Sequence, residues 1–155
     1  MTDMQTTIDS PVGPLAVTVA DDGAVTRIDF GAGARSVDPR FDAVKTQLAE
    51  YFAGERTTFD LPLRPGRGTA FERSVWAELL RIPYGETASY GEIAARVGRP
   101  GKARAVGRAN GRNPIAIVCP CHRVIGSDGS LVGYGGGLDK KRTLLDLEAG
   151  ALTLV

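Results

Sequence analysis

One histidine and two cysteines are all that the 155-residue sequence offers a soft metal ion, and the cysteines, Cys119 and Cys121, stand one residue apart. A structural zinc site needs four ligands at spacings such as paired CxxC, so none is legible, and two cysteines this close make no disulfide framework. Long apolar runs are also lacking. The stretch from Ile115 to Cys121 falls far short of the roughly 18 residues of a spanning helix, and the N-terminus MTDMQTTIDS has no basic segment followed by an apolar one. These absences predict a soluble, cytoplasmic protein that stands on its own apolar core, since a chain of this size buries roughly 70% of its unfolded surface. What is left for a cysteine is chemistry.

Acidic residues are missing from Ile93 to Ser127, where seven basic residues fall: Arg96, Arg99, Lys102, Arg104, Arg108, Arg112 and Arg123. A solvated helix face normally interleaves both signs, so this run reads as a patch for phosphates or another polyanion. The formal net charge of +1 hides the asymmetry. Residues 1–65 carry six Lys/Arg and ten Asp/Glu, and residues 66–155 carry thirteen and eight.

Residues 1–30 alternate in the β manner, with Leu15, Val17 and Val19 on one face and Val25, Ile28 and Phe30 after the turn formers Asp21, Asp22 and Gly23. From Arg40 to Ala53 the spacing becomes helical, with Phe41, Val44, Leu48 and Tyr51/Phe52 as the apolar stripe. The Pro-, Gly- and Arg-rich segment from Leu61 to Gly68 has no apolar period and joins regions of opposite charge. It predicts two domains, an acidic β-β-β-α lobe over 1–65 and a basic domain over 66–155. Thr69-Ala70-Phe71-Glu72 is a capping box opening a helix with Phe71, Val75, Trp76, Leu79 and Leu80 inward, and Ser89-Tyr90-Gly91-Glu92 is a second box. The short helix after Ser89, the turn at Pro100-Gly101 and a helix from Lys102 to Asn110 make a helix-turn-helix candidate. Ile115 to Val118, β-branched and apolar after Asn113-Pro114, predicts a buried strand. Cys119 to Arg123 leaves it as a loop, Gly126 to Gly137 is glycine-dense with a turn at Asp128-Gly129, and Leu138 to Leu147 is a last helix with Leu144, Leu145 and Leu147 inward and Glu148 near its end.

Cys121-His122 is the only Cys/His pair. A free thiol titrates near ~8.5 and needs a base or a positive field to act as a thiolate, and His122 and Arg123 stand beside it in a segment without acids. A pair of buried apolar cysteines beside a loop histidine would read the same way in isolation; the Pro-bounded loop within the basic run favours chemistry.

Ile117-Val118-Cys119-Pro120-Cys121-His122-Arg123-Val124-Ile125 resembles the Pro-Cys-His-Arg-Val signature of the O6-alkylguanine-DNA alkyltransferases. Arg104-Ala105-Val106-Gly107 before it, Asn113-Pro114 between and Tyr134-Gly135-Gly136-Gly137-Leu138 after it extend the resemblance from Phe71 to Glu148, and the N-terminal lobe resembles the family's ribonuclease H-like domain. The implied fold is α+β, that small lobe plus a mostly helical C-terminal domain.

The resemblance implies a single-turnover protein that flips O6-alkylguanine, and by extension O4-alkylthymine, out of double-stranded DNA and takes the alkyl group onto Cys121, as a monomer and without a cofactor. It implies a relay of Glu148, His122 and a bridging water that deprotonates the thiol, Tyr90 as the proton donor to the purine ring, and Asn113 as the tie between the recognition helix and the active-site loop. Arg104 resembles the finger that fills the vacated stack, because a buried thiol cannot reach a stacked base. Ala103, Ala105, Gly107 and Ala109 permit close approach in the minor groove. The carbonyls of Cys121 and Val124 are implied to receive the guanine amino group, Tyr134, Gly135 and Gly136 to wall the base pocket, and Arg96 and Arg123 complete the expected DNA-binding set. Zinc in the family is held by N-terminal Cys and His that this sequence lacks. Three positions depart from the pattern: Gly135 stands where some relatives carry Ser, Thr143 at a position often aromatic, and Cys119 as a second thiol. Two other readings share the same features, a non-catalytic sensor of alkylated DNA and a helix-turn-helix regulator. Cys121 argues against the first and the absence of a dimerisation element against the second.

Overall fold

The computed structural model describes residues 3–150 as a mixed α+β fold. Strands β1 (Met4–Ile8), β2 (Leu15–Val19) and β3 (Val25–Phe30) form an antiparallel sheet in that order, with Val17 opposite Thr6 on one side and Ile28 on the other. The β2–β3 turn needs a left-handed residue, supplied by Gly23 at φ 90°, and the Asp22 carboxylate accepts from the Ala24 N–H. A turn of 3-10 helix at Pro39–Phe41, capped by Asp38, leads into α1 (Asp42–Phe52). Its buried stripe, Val44, Leu48, Tyr51 and Phe52 with Phe41 ahead of it, is the one expected from the spacing.

The segment after α1 is stitched to the sheet: Val25 N donates to Pro62 O at 2.8 Å and Arg64 N to Val25 O at 2.9 Å. Both capping boxes form. In α2 (Ala70–Leu79) the Thr69 hydroxyl accepts from Glu72 N while Glu72 accepts from Thr69 N, and Ser89 and Glu92 repeat the arrangement at α3 (Tyr90–Arg96), each cap worth about 1 kcal/mol. Leu80, expected on the α2 stripe, is 50% exposed because the helix ends at Leu79. Gly98 and Gly101, both at positive φ, turn the chain into α4 (Ala103–Gly111). The sole tryptophan fixes this helix to α2, Trp76 Nε1 donating to Ala109 O at 2.7 Å.

Ile115 to Val118 is not a strand. Ile115 makes one bridge to Ile28, after which the chain coils through turns with Ile117 at φ 71° and Cys119 N donating to Ile115 O at 3.0 Å. The side chain of Asn113 competes for the backbone groups a ladder would use, accepting from Ile115 N and donating to Ile115 O and Cys119 O. The run is buried as expected, but as a knot under the active-site loop and not as an extended segment. The parallel pairing in this region instead joins β4 (Ala88–Ser89) to β5 (Val124–Ile125). In α5 (Leu138–Glu148) Leu144 and Leu147 are buried, Leu145 is half-buried, and Lys141 takes an inward position with no exposed surface. A continuous core runs from the sheet through α1, α2 and α5, and the Ile28–Ile115 bridge crosses it.

Candidate active site

Two asparagines set the backbone around Cys121. Pro120, at φ −82° and ψ 64°, makes a three-residue turn closed by Cys121 N donating to Cys119 O at 2.8 Å, and Cys121–Arg123 is one turn of 3-10 helix. Asn113, just past α4, donates to Cys119 O at 2.9 Å. Asn110, on α4 itself and not anticipated, donates to Cys121 O at 3.2 Å.

The thiol is buried, and burial pushes its pKa up, opposed by the neighbouring polar groups of Asn113 and Tyr134 and by the charge of Lys141. It is therefore protonated at neutral pH and needs a base. Cys119 is pushed up well further, by burial first and then by Cys121, and its Sγ points to Trp76 O at 3.6 Å, which leaves it a small core residue.

The next residue after Cys121 in the same turn carries an imidazole. His122 has no exposed surface, and its Nε2 lies 2.7 Å from Glu148 Oε2. Burial alone would raise Glu148, but hydrogen bonds from His122 and Arg123 outweigh it and hold the carboxyl at about 2. An ionised carboxylate only accepts, so Nε2 carries the proton and Nδ1 presents its lone pair. Nδ1 is buried and has no partner among the described residues. Burial lowers the pKa of His122 against the pull of Glu148, so the ring is neutral and able to take a proton.

Glu148 is crowded. Arg123 grips it at two points, Nε to Oε1 at 2.7 Å and Nη2 to Oε2 at 2.9 Å, and donates through Nη1 to Ile82 O at 2.7 Å. From α1, the Tyr51 hydroxyl donates to Oε2 at 2.6 Å. Arg123 is thus buried and spent on Glu148 and Ile82 O, away from the exposed surface where the basic run had placed it.

A cavity of about 690 Å³ opens over the thiol, walled by Cys121, Tyr90, Asn113, Tyr134, Gly135 and Gly133, with Ile28 and Phe30 from β3 on the far side. Tyr90 donates to Val132 O at 2.9 Å. Tyr134 packs edge-on against Phe30 with centroids 5.7 Å apart. Gly136 lies so close to the Phe30 ring that a Cβ would come within 2.7 Å of it, which explains a glycine there. Lys141, also missed by the sequence reading, donates to Val124 O at 2.6 Å, Val132 O at 3.1 Å and Gly133 O at 3.4 Å, clamping β5 to the pocket loop. Of the two expected acceptors of a guanine amino group, Val124 O holds the Lys141 ammonium, while Cys121 O already accepts from both Asn110 Nδ2 and Val124 N.

On the outer rim Arg104 is exposed and lines the same cavity with Ala103 and Gly107 of α4; Ala105 lies alongside, half-buried, outside the lining. Arg99, Lys102 and Arg108 are exposed on the same helix pair. Arg96 reaches Glu92 at 3.8 Å and Arg112 pairs with Glu72, so the basic run is partly neutralised by acids from outside it. For two of the three unanticipated side chains, Tyr51 and Lys141, a signal was present. A tyrosine hydroxyl on the core stripe of α1 must find a partner, and Lys141 falls at helical spacing from Leu144 and Glu148 on a face that is buried.

Residues 70–150 match the family model described as 6-O-methylguanine DNA methyltransferase, DNA binding domain, and residues 4–65 that described as its ribonuclease-like domain. The methylated-DNA--protein-cysteine methyltransferase of Mycobacterium tuberculosis is 52% identical over 156 residues, spanning 92% of this chain and 90% of the relative. That of Methanosarcina barkeri is 47% identical over 154 residues, spanning 94% and 96%. Among solved structures, M. tuberculosis O6-methylguanine methyltransferase superposes with a TM-score of 0.87 at 50% identity, covering 97% of this chain and 95% of that one. The M. tuberculosis protein in complex with DNA gives 0.85 at 50% identity, covering 95% and 93%.

Proposed function

The chain belongs to the 6-O-methylguanine DNA methyltransferase family, and from that premise we propose how its residues divide the work. The protein repairs DNA by transferring the alkyl group of O6-alkylguanine to one of its own cysteines, and DNA is its partner. The acceptor is Cys121. The observation that carries this reading is a buried thiol lining a cavity roomy enough for a base, in the same turn as an imidazole whose proton sits on Nε2 and whose Nδ1 is free.

In the reaction the thiol proton passes through a bridging water to His122 Nδ1, and Glu148 stabilises the imidazolium as the third member of a triad does. The thiolate attacks the alkyl carbon, a C–S bond forms and the C–O6 bond breaks, and the electron pair enters the purine, which takes up a proton. Tyr90 supplies that proton; its hydroxyl now donates to Val132 O and must turn to the base when the pocket fills. The thioether is stable, so each molecule acts once.

Arg104, at the mouth of the cavity, fills the stack that the extruded base leaves, and small residues at Ala103, Ala105 and Gly107 let α4 approach the duplex. Gly133 to Gly136, clamped by Lys141, form the wall against the base. We divide the chain into a lobe over 1–65 and a DNA-binding domain over 66–155; the pocket lies within one chain, which supports action as a monomer. A DNA substrate and relatives from bacteria and archaea support a place in the cytoplasm.

The deciding experiment is incubation with an oligonucleotide labelled on the O6-methyl group, followed by intact-protein mass measurement. One methyl gained per chain, and none in C121S, supports the assignment; a methyl retained by C121S overturns it.

A further inference from the structure

The carboxylate of Glu148 takes more donors than a triad requires. Arg123 already fixes its orientation at two points, with its own position set by Ile82 O. His122 uses Oε2. Tyr51 adds a third donor to that same oxygen at 2.6 Å, from a helix that carries no other group of the site. The phenol has no exposed surface and is wedged among Phe52, Phe59 and Tyr84. Burial first, and then the charge of Glu148, push its pKa far above the usual range, so it is a donor at every working pH.

A donor on Oε2 draws negative charge away from His122. The orientation of the carboxylate does not need it, because the guanidinium supplies that. We propose that Tyr51 is a positioning residue that acts as a governor on the relay: through Glu148 it keeps the His122 ring less basic than the carboxylate alone would make it, and so favours the protonated Cys121 thiol. For a protein that spends its nucleophile once, a thiol held quiet between encounters is protected from stray electrophiles and oxidants. Helix α1 thereby acts on the chemistry without lining the pocket.

The other groups facing the ring act in known directions. Glu148 and Lys141 come from α5, and Arg123 and Cys121 from its own turn; Glu148 favours the charged ring, and burial, Arg123 and Lys141 disfavour it. Tyr84 stands against both Tyr51 and Arg123 and donates to neither. Of these, Tyr51 alone can be silenced by removing one oxygen without changing a formal charge.

The proposal rests on the relay reading, and the test separates the two. Methyl transfer from a free O6-alkylguanine base, where extrusion from DNA cannot mask the chemical step, is followed from pH 5.5 to 9.5 in full-length wild type, Y51F, E148Q and the double variant. A more basic imidazole leaves the thiolate population unchanged at low pH and raises it above the His122 pKa. Y51F is therefore expected to move the acid limb upward by about half a unit and to raise the neutral plateau by the same factor, roughly threefold. In the E148Q background the tyrosine substitution is expected to have no effect. Replacing Tyr51 with 3-fluorotyrosine, a stronger donor of nearly the same shape, is expected to shift the profile the opposite way, and it carries the test if Y51F fails to fold. An unchanged profile, a uniform loss at every pH, or an effect that persists with E148Q overturns the proposal. If E148Q alone leaves the profile as in wild type, the relay reading itself fails.

Discussion

Arg123 and Glu148 form a buried two-point ion pair, with Nε–Oε1 at 2.7 Å and Nη2–Oε2 at 2.9 Å, at the junction of the active-site turn and the last turn of α5. Removing one partner strands the other charge out of water, which typically costs about 3–5 kcal/mol. R123A is therefore expected to lower the denaturation midpoint substantially while leaving the salt slope of DNA binding as in wild type. A slope reduced by about one, with stability unchanged, would put Arg123 on the phosphates after all.

Between the two thiols, C121S is expected to abolish methyl transfer and keep DNA binding, since an alcohol of the same shape is a far weaker nucleophile. C119S is expected to remain active. The reverse pattern in a labelled-oligonucleotide assay would exchange the two assignments.

The relay predicts a pH-dependent defect. H122A and E148Q are expected to slow transfer at pH 7 by about a hundredfold, within the usual range for a lost general base, and much less at pH 9, where the thiol ionises without help. Equal losses at both values would make the two residues part of the loop's scaffold only.

Arg104 and Arg96 are expected to differ in kind. R104A should slow repair of duplex DNA by roughly tenfold or more while sparing the free modified base, because holding the stack open offsets an unstacking cost of a few kcal/mol. R96A should weaken binding to damaged and undamaged duplex about evenly and lower the salt slope by about one. Equal slowing of the duplex and free-base reactions by R104A would remove the finger from the mechanism.

Acid should unfold the protein in two stages. His122, whose pKa burial depresses below its usual 6.5, is neutral in the fold and takes a proton more readily once unfolded, so its contribution is present above pH 6.5 and is lost as pH falls through its lowered folded value. Glu148, held at about 2 against an ordinary 4.5, contributes stability above 4.5 that is lost as pH falls toward 2, on the order of 3 kcal/mol. Denaturant midpoints measured from pH 7 to 2 are expected to fall throughout, with a shallower fall in E148Q below pH 4.5. A flat curve between pH 4.5 and 2 would contradict the strength assigned to this cluster.

Local rules were enough wherever one segment decides its own shape. Both capping boxes, the meander of the first thirty residues and the inward stripe of α1 follow from periodicity and from single side chains that satisfy nearby N–H groups. The fate of Ile115 to Val118 was not legible in this way, because β-branched residues read as a strand until Asn113 is seen taking the backbone groups a strand would pair. Around the site, Cys121 and His122 are neighbours in sequence, and motif similarity reached Glu148. Tyr51 lies 97 residues from Glu148 and Lys141 lies 17 from Val124. Their roles exist only after the chain has folded back on itself. Arg123 was misplaced for a related reason: counting charges along a segment does not reveal that an acid from α5 will bury one of them.

The bond from Trp76 to Ala109 has a practical corollary. An indole that is the only one in the chain, buried, and tied through its N–H to the main chain of the helix that carries Arg104 is a fluorophore already installed at the contact between α2 and α4. Its emission wavelength and lifetime report whether that helix is seated, without a label and without a substitution. Spectra of the free, DNA-bound and alkylated protein can therefore be compared on the native chain, with the helix that meets the duplex reading out its own position.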